Sequence, residues 1–391
     1  MTATLTAPVQ TPSPAPIGEA LLSTEAAWEV AWGHTLTGAP QVFSGLPREA
    51  YDQLPGWNAS LLKVTIGQTE AHAWGEFIDP SREQQEDAGQ FLIGNLFHCR
   101  LLEPELFDQR YLVLPPDAPK RPTAKQLEGP APGRNGQVST TTKAYAEWLE
   151  AQRREEWWKD FDAKHLLNGH ELASAEAPTR KAVQLVDAKD LALGDALAGA
   201  VLAHPALAPR FADTPQNRAG NELTLTWRDA LTGARCKARL DAVRFLGDRL
   251  WIGDLKSAMD AGPGPDHFGR AAANFDYCLS AAWYRDGAQV CRAGIEDVLG
   301  LPEGALILAP NGYEFEFIAV EKAHPRPEFV GRYTLTDEQA QMGRGMARRA
   351  LNMVVQAEAS GWWPGYDSAA TPLKLPGYAY QRMERLAEVE A

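Results

Sequence analysis

Residues 222–256 read ELTLTWRDALTGARCKARLDAVRFLGDRLWIGDLK. Glu222 to Trp227 alternates polar and apolar side chains, the period of a half-buried strand. Asp229 to Gly233 supplies a turn. Arg235 to Phe245 alternates again, Leu246-Gly247-Asp248 turns, and Leu250 to Lys256 makes a third strand. Three strands joined by tight turns predict an antiparallel meander. Asp254 and Lys256 then point to one face, because strand side chains alternate. The second hairpin brings Asp241 beside Asp254. Two carboxylates on one sheet edge suit Mg²⁺, a hard cation that takes oxygen ligands. A lysine beside them can act on an attacking water, the parts that metal-assisted phosphodiester hydrolysis requires. The same residues also suit a solvated hairpin with an Asp–Lys ion pair, and spacing alone leaves both readings open.

On the N-terminal side, the helix at 87–103 repeats Phe91, Leu92, Leu96, Cys99 and Leu102 at helical spacing. Pro104 ends it, and His98 lies on it. Asn58 or Ser60 is placed to cap a helix through Leu61, Leu62 and Lys63. Residues 114–142 are rich in Pro and Gly and read as a long loop, followed by helices at 143–164 and 187–203. On the C-terminal side, Gly262-Pro-Gly-Pro265 breaks the chain. The pattern then predicts one helix of about 20 residues through Phe275, Leu279, Trp283 and Tyr284. Strands are expected at Ala305–Ala309 and Tyr313–Val320, and a long helix at 336–358. The class is mixed α/β, a central mixed sheet with helices on both sides. It is read as a 1–18 tail and a single decorated domain over 19–385, with a core at about 187–320.

Composition bounds the partners. The 391 residues are 45% hydrophobic and 23% charged, as in a soluble globular chain. Wholesale disorder and a membrane span are not expected. The first 18 residues lack a basic start and an apolar core, so they read as a disordered tail and not as a signal peptide. Four cysteines with no CxxC spacing point to free thiols in a reducing cytoplasm. The net charge of −13 disfavours a nonspecific nucleic-acid coat. Residues 1–110 carry 14 acidic and 5 basic side chains, whereas 228–249 carry 6 basic and 3 acidic. An acidic chain with one basic stretch is compatible with DNA held in a cleft. Lys237 and Arg239 share the face of Asp241, which makes them the better phosphate-contact candidates of that stretch. Ser60 and Lys63 fit a terminal phosphate or, alternatively, a helix cap and a surface lysine. Glu222 reads as a third acidic group near the metal or as a solvated strand residue. The doublets Trp157-Trp158 and Trp362-Trp363 are expected in packing.

Several stretches, in order, resemble one family. They are Asn58-Ala-Ser-Leu-Leu-Lys63 with Ala71-His-Ala-Trp74, Gly94-Asn-Leu-Phe-His98 with Tyr111-Leu-Val113, and Arg239-Leu-Asp241 with Asp254-Leu-Lys256. Tyr277 to Gly287, Phe315 to Lys322 and Trp363-Pro-Gly-Tyr366 follow. Over about residues 57–378 the chain resembles the RecE-like exonucleases (exonuclease VIII) of phages and prophages, in the PD-(D/E)xK nuclease superfamily. The resemblance implies a restriction-endonuclease-like core and a Mg²⁺-dependent exodeoxyribonuclease, with Mn²⁺ as a substitute. Such an enzyme degrades one strand of linear duplex DNA 5′→3′ and leaves 3′ overhangs for recombination. The alternatives are another nuclease of the same core and a decayed DNA-end-binding protein. The resemblance also implies a ring-shaped homo-oligomer on duplex ends and a single-strand-annealing recombinase as partner. His98, Asp241, Asp254 and the Leu255 carbonyl would be the metal ligands, and Lys256 would act on the water. Tyr284 matches the tyrosine of the family's Gln-x-x-x-Tyr helix, a DNA-contacting motif, while Ser280 stands in the glutamine's place.

Overall fold

The computed structural model describes residues 25–79, 81, 89–131, 138–165, 184–212, 218–308, 312–366, 369 and 372–387. The expected 1–18 tail lies outside them. The strands are β1 Gln41–Phe43, β2 Tyr111–Val113, β3 Gln184–Val186, β4 Arg218–Arg228, β5 Arg235–Phe245, β6 Leu250–Ala258, β7 Tyr313–Glu321 and β8 Val330–Tyr333. Six form one mixed sheet in the order β1-β4-β5-β6-β7-β8, and β2 pairs with β3 separately. The meander β4-β5-β6 is antiparallel, as its turns require, and β7 returns parallel to β6.

The principal helices are α1 Glu25–Trp32, α2 Arg48–Gln53, α3 Ala59–Gly67, α4 Gly89–Leu102, α5 Lys143–His165 and α6 Ala188–Ala203. They continue with α7 Phe268–Asn274, α8 Tyr277–Val290, α9 Asp337–Ser360 and α10 Gly377–Ala387. One face of the sheet buries Leu223, Leu225, Leu240 and Ile252 with Leu62, Leu279 and Leu351. The other buries Trp251, Leu255 and Ile318 with Phe97, Leu197 and Val201. Helices therefore cover both faces. Gly194 lets α6 approach α4 closely, since a Cβ there would lie 2.8 Å from the Leu96 Cβ. That approach fixes the helix that carries His98.

Two expectations are corrected. The single helix after Pro265 is two, α7 and α8, broken at Phe275-Asp276, where Asp276 takes φ 49. The break sets Tyr277 against Phe317, with ring centroids 5.4 Å apart. The strand expected from Ala305 is instead a helical turn, Ala305–Leu308. Its amides explain the change: Gly304 N and Leu306 N donate to the buried Glu296 carboxylate at 3.1 and 2.7 Å, a side-chain cap that replaces strand pairing. Among its described residues, the 114–142 loop holds one helical turn, Ala124–Leu127, closed by a capping box on Thr123 and Gln126. Among the described residues, no helix is long and apolar enough to cross a membrane.

Candidate functional site

The site forms where the β4-β5-β6 meander opens. The β5–β6 ladder runs from Phe245↔Leu250 to Ala242↔Gly253 and stops there. One step further, Asp241 Oδ2 accepts the Leu255 N–H at 2.8 Å. The carboxylate thus takes over from the backbone ladder and turns its other oxygen outward. On β4, Asn221 pairs with Ala242 and Leu223 with Leu240, so Glu222 lies across from Asp241. Helix α4 lowers His98 onto this pair. His98 Nδ1 lies 3.4 Å from Glu222 Oε1 and 3.8 Å from Asp241 Oδ1, and Nε2 lies 3.4 Å from the Leu255 carbonyl. Ligand atoms of His98, Glu222 and Asp241 all fall within 4.8 Å of one another, close enough to share one cation.

Asp254 and Lys256 complete the edge from β6. Lys256 Nζ forms an ion pair with Asp254 Oδ2 and donates to the Leu255 carbonyl at 3.2 Å. The ammonium also lies 5.4 Å from the centre of the Tyr277 ring. Lys63 Nζ, from α3, approaches the same ring at 5.8 Å. Asn58 caps α3 by accepting the Leu61 N–H at 2.9 Å, worth about 1 kcal/mol. Ser60 is exposed one turn before Lys63.

The charges are strongly coupled. Burial opposes the His98 imidazolium, but the Asp241 charge and the Glu222 hydrogen bond outweigh it and push its pKa up to about 9. Burial, partly offset by His98, raises Asp241 to about 6. Glu222 falls to about 2 because His98 and Arg239 overcome its burial. Lys256 is raised against its burial by Asp254 and Asp241. Lys63 is lowered by burial and then by the Lys256 charge. Burial, then the negative charges of Asp254 and other neighbours, pushes the Tyr284 hydroxyl well above the usual phenol range.

Eight of the expected residues therefore meet here: His98, Glu222, Asp241, Asp254, Leu255, Lys256, Lys63 and Tyr284. Three do not serve as expected. Lys237 is buried, and its Nζ donates to the carbonyls of Tyr51, Asp52 and Leu54 at 2.9, 3.1 and 2.6 Å. Arg239 is buried against Glu222 and the Leu46 carbonyl. Both do share the Asp241 face, but the segment from Leu46 to Leu54 covers it, so neither side chain faces a solvent cleft. Ser280 is buried in α8 at 4% exposure, one turn before Tyr284. Arg235 and Arg244 are likewise spent, on Glu25 and on the carbonyls of Arg210 and Gly220.

One residue at the rim was not foreseen. Arg48 pairs with Asp52 at 2.9 Å with its side chain 62% exposed, and its charge reaches Glu222 and Tyr284. The stretch Leu46 to Pro55 carries no motif that would single it out.

No protein family matches the chain, and no curated protein does. Among solved structures, the chain is similar to a protein of Eubacterium rectale named "Putative exonuclease". The identity is 12% and the TM-score 0.41, over 82% of this chain and 89% of that one.

Proposed function

We propose that this protein is a divalent-metal-dependent nuclease, and specifically a Mg²⁺-dependent exodeoxyribonuclease acting on ends of duplex DNA. The observation that carries the reading is the cluster of His98, Asp241 and Glu222, whose ligand atoms lie within 4.8 Å of one another, with the Leu255 carbonyl 3.4 Å from His98 Nε2 and the Asp254–Lys256 ion pair on the adjoining strand. The donor set fits a hard divalent cation: two carboxylates, a backbone carbonyl and one imidazole. The fit is reinforced by His98, whose pKa near 9 registers the excess negative charge that a cation would neutralise. His98, Asp241, Asp254 and the Leu255 carbonyl would hold Mg²⁺ or Mn²⁺, with Glu222 behind His98. When bound, the cation supplies Lewis-acid polarisation of a phosphate oxygen and a more acidic water.

The chain's own groups do the rest. Lys256 is fixed between Asp254 and the Leu255 carbonyl, and its raised pKa keeps it an ammonium. It therefore orients the attacking water by donation and offsets charge building on the phosphate. Lys63, across the Tyr277 ring, offers a second cation for a phosphate oxygen, and exposed Ser60 extends the same helix face. The solvent-open Arg48 guanidinium receives the neighbouring phosphate. The 5′→3′ polarity, the 3′ overhang, the ring assembly and a single-strand-annealing recombinase partner enter this proposal on the family resemblance.

The test is digestion of linear, 5′-labelled duplex DNA with Mg²⁺, beside closed circular DNA and an Asp254→Ala variant. Consumption of linear DNA alone, absent in the variant, supports an end-dependent nuclease, and the first label released gives polarity. Nicking of closed circles refutes the exonuclease reading. Binding of linear DNA without cleavage in either metal refutes the catalytic one.

A further inference from the structure

Glu222 holds a backbone conformation that strands avoid, φ 50, shared by Asp276 alone among the described non-glycine residues. For an L-residue this costs about 1–2 kcal/mol, and it persists where the surroundings over-determine it. Two contacts hold the side chain. Arg239 Nε donates to Glu222 Oε2 at 2.5 Å, and Glu222 Oε1 meets His98 Nδ1 at 3.4 Å. Arg239 is itself pinned: Nη1 donates to the Leu46 carbonyl at 2.8 Å and to Thr224 Oγ1 at 3.4 Å, and Nη2 lies 4.0 Å from Glu103 Oε2. The neighbouring Asn221 Nδ2 donates to the Leu102 carbonyl at 2.7 Å. The end of α4 is thereby tied to the same point of β4.

We infer that Arg239 is a positioning residue for the metal site, acting through Glu222 on His98. It holds Glu222 where it accepts the His98 Nδ1–H, which leaves Nε2 facing the Leu255 carbonyl at the edge of the cation site. The geometry stands by itself; its consequence for metal rests on the proposed function. A carboxylate behind a metal-ligating histidine fixes its tautomer and orientation. Here a planar guanidinium in turn fixes the carboxylate, and its rigid fork serves the Leu46 carbonyl and Glu222 at once. A lysine, with one rotatable charge point, cannot reproduce both contacts. A role confined to tying β5 to the Leu46 segment would alter stability and leave His98 untouched.

The experiment uses the full chain with Arg239→Met, Arg239→Lys and Glu222→Gln, and reads two signals. One is Mn²⁺ affinity by electron paramagnetic resonance. The other is the imidazole ¹⁵N spectrum of the metal-free protein at fixed pH, with His98 assigned from a His98→Asn spectrum. Arg239→Met is expected to shift the His98 nitrogens and weaken Mn²⁺ by about 10- to 100-fold. Glu222→Gln should reproduce both, with Arg239→Lys between. A folded Arg239→Met with unshifted His98 signals and Mn²⁺ affinity within about twofold of the parent overturns the inference. If neither Arg239 variant folds, Glu222→Gln, which keeps the side-chain volume and loses the charge Arg239 anchors, tests the Glu222–His98 link on which the inference depends, and unshifted His98 signals with unchanged Mn²⁺ affinity overturn it. If the parent binds Mn²⁺ and cuts no DNA, the nuclease reading falls and both signals still decide the inference. If the parent binds no Mn²⁺, the metal reading falls and the imidazole spectrum alone decides it.

Discussion

Lys237→Met separates a structural lysine from a phosphate-binding one. The Lys237 ammonium is buried over the end of α2 and donates to two of its carbonyls, Tyr51 and Asp52, and to that of Leu54 just beyond it. It also sits 4.9 Å from the centre of the Tyr51 ring. A hydrogen bond to a charged group is worth about 1.5–3 kcal/mol net. The three are not additive, because the Tyr51 carbonyl already receives the Leu54 N–H. Methionine keeps most of the stem volume, so no large cavity adds to the loss. The expected cost is therefore about 3 kcal/mol, a sizeable part of the 5–15 kcal/mol typical of a folded domain. Urea unfolding measures it as a lower midpoint with an unchanged slope. Duplex binding across a salt series, without metal, measures the alternative. A lysine on DNA would lower the log–log salt slope by about 0.9 and leave stability within about 0.5 kcal/mol. That second pattern would refute the argument.

Arg48→Ala should do what Lys237→Met does not: weaken duplex binding and lower the salt slope by about 0.9. Its exposed i,i+4 pair with Asp52 contributes at most about 0.5 kcal/mol to folding, so an unchanged slope counts against its role at the rim. Metal binding should track the His98 proton. With that pKa near 9, Mn²⁺ affinity should rise about tenfold per pH unit from 7 to 8.5; a flat profile means His98 is not a ligand. Arg348 should govern acid stability. Its fork meets Asp229 at 2.6 and 2.9 Å and, by that hydrogen bond first, holds the carboxyl well below the usual range. A depressed acid stabilises the fold above its unfolded pKa of about 4 and loses that contribution as pH falls towards the folded value. Arg348→Met should cost about 1–2 kcal/mol at pH 7, discounted for the partly exposed guanidinium. The gap to the parent should narrow between pH 4 and 2 in urea unfolding, and a constant gap excludes the linkage.

The fold was legible where contacts are short-range. The alternation in Glu222–Trp227 and Arg235–Phe245 and the turns at Gly233 and Gly247 set the meander, and the structure keeps its register. The helix at 87–103 followed from periodicity and Pro104, and the long helix expected at 336–358 runs from Asp337 to Ser360, where Thr336 closes a capping box with Gln339. Failures came where a distant group overrides a local pattern. Ala305–Leu308 has the apolar run of a strand, but the Glu296 carboxylate captures its amides. The break at Asp276 interrupts a continuous apolar stripe because one residue takes φ 49, which periodicity does not register. The short edge strands β1 and β8 have 3 and 4 residues, too few for a pattern.

The site was legible to the same limit. Asp241, Asp254 and Lys256 lie on adjacent strands of one hairpin, so their meeting follows from register: Ala242 pairs with Gly253, and Asp241 is the next residue. Nothing in the His98 helix points to β4; the ordered resemblance placed that histidine beside the carboxylates. Alternation also put Lys237, Arg239 and Asp241 on one face, and it was right. What alternation cannot state is whether a face is open. The segment that closes this one lies 193 residues upstream of Arg239 at Leu46, and no periodicity links the two. Once the face is covered, a cation on it cannot meet substrate and must be matched within the protein, or its burial would cost several kcal/mol. Lys237 is matched by carbonyls and Arg239 by Glu222. The second match lies directly behind His98, so covering the face turned a candidate DNA contact into a group that acts on the site from inside.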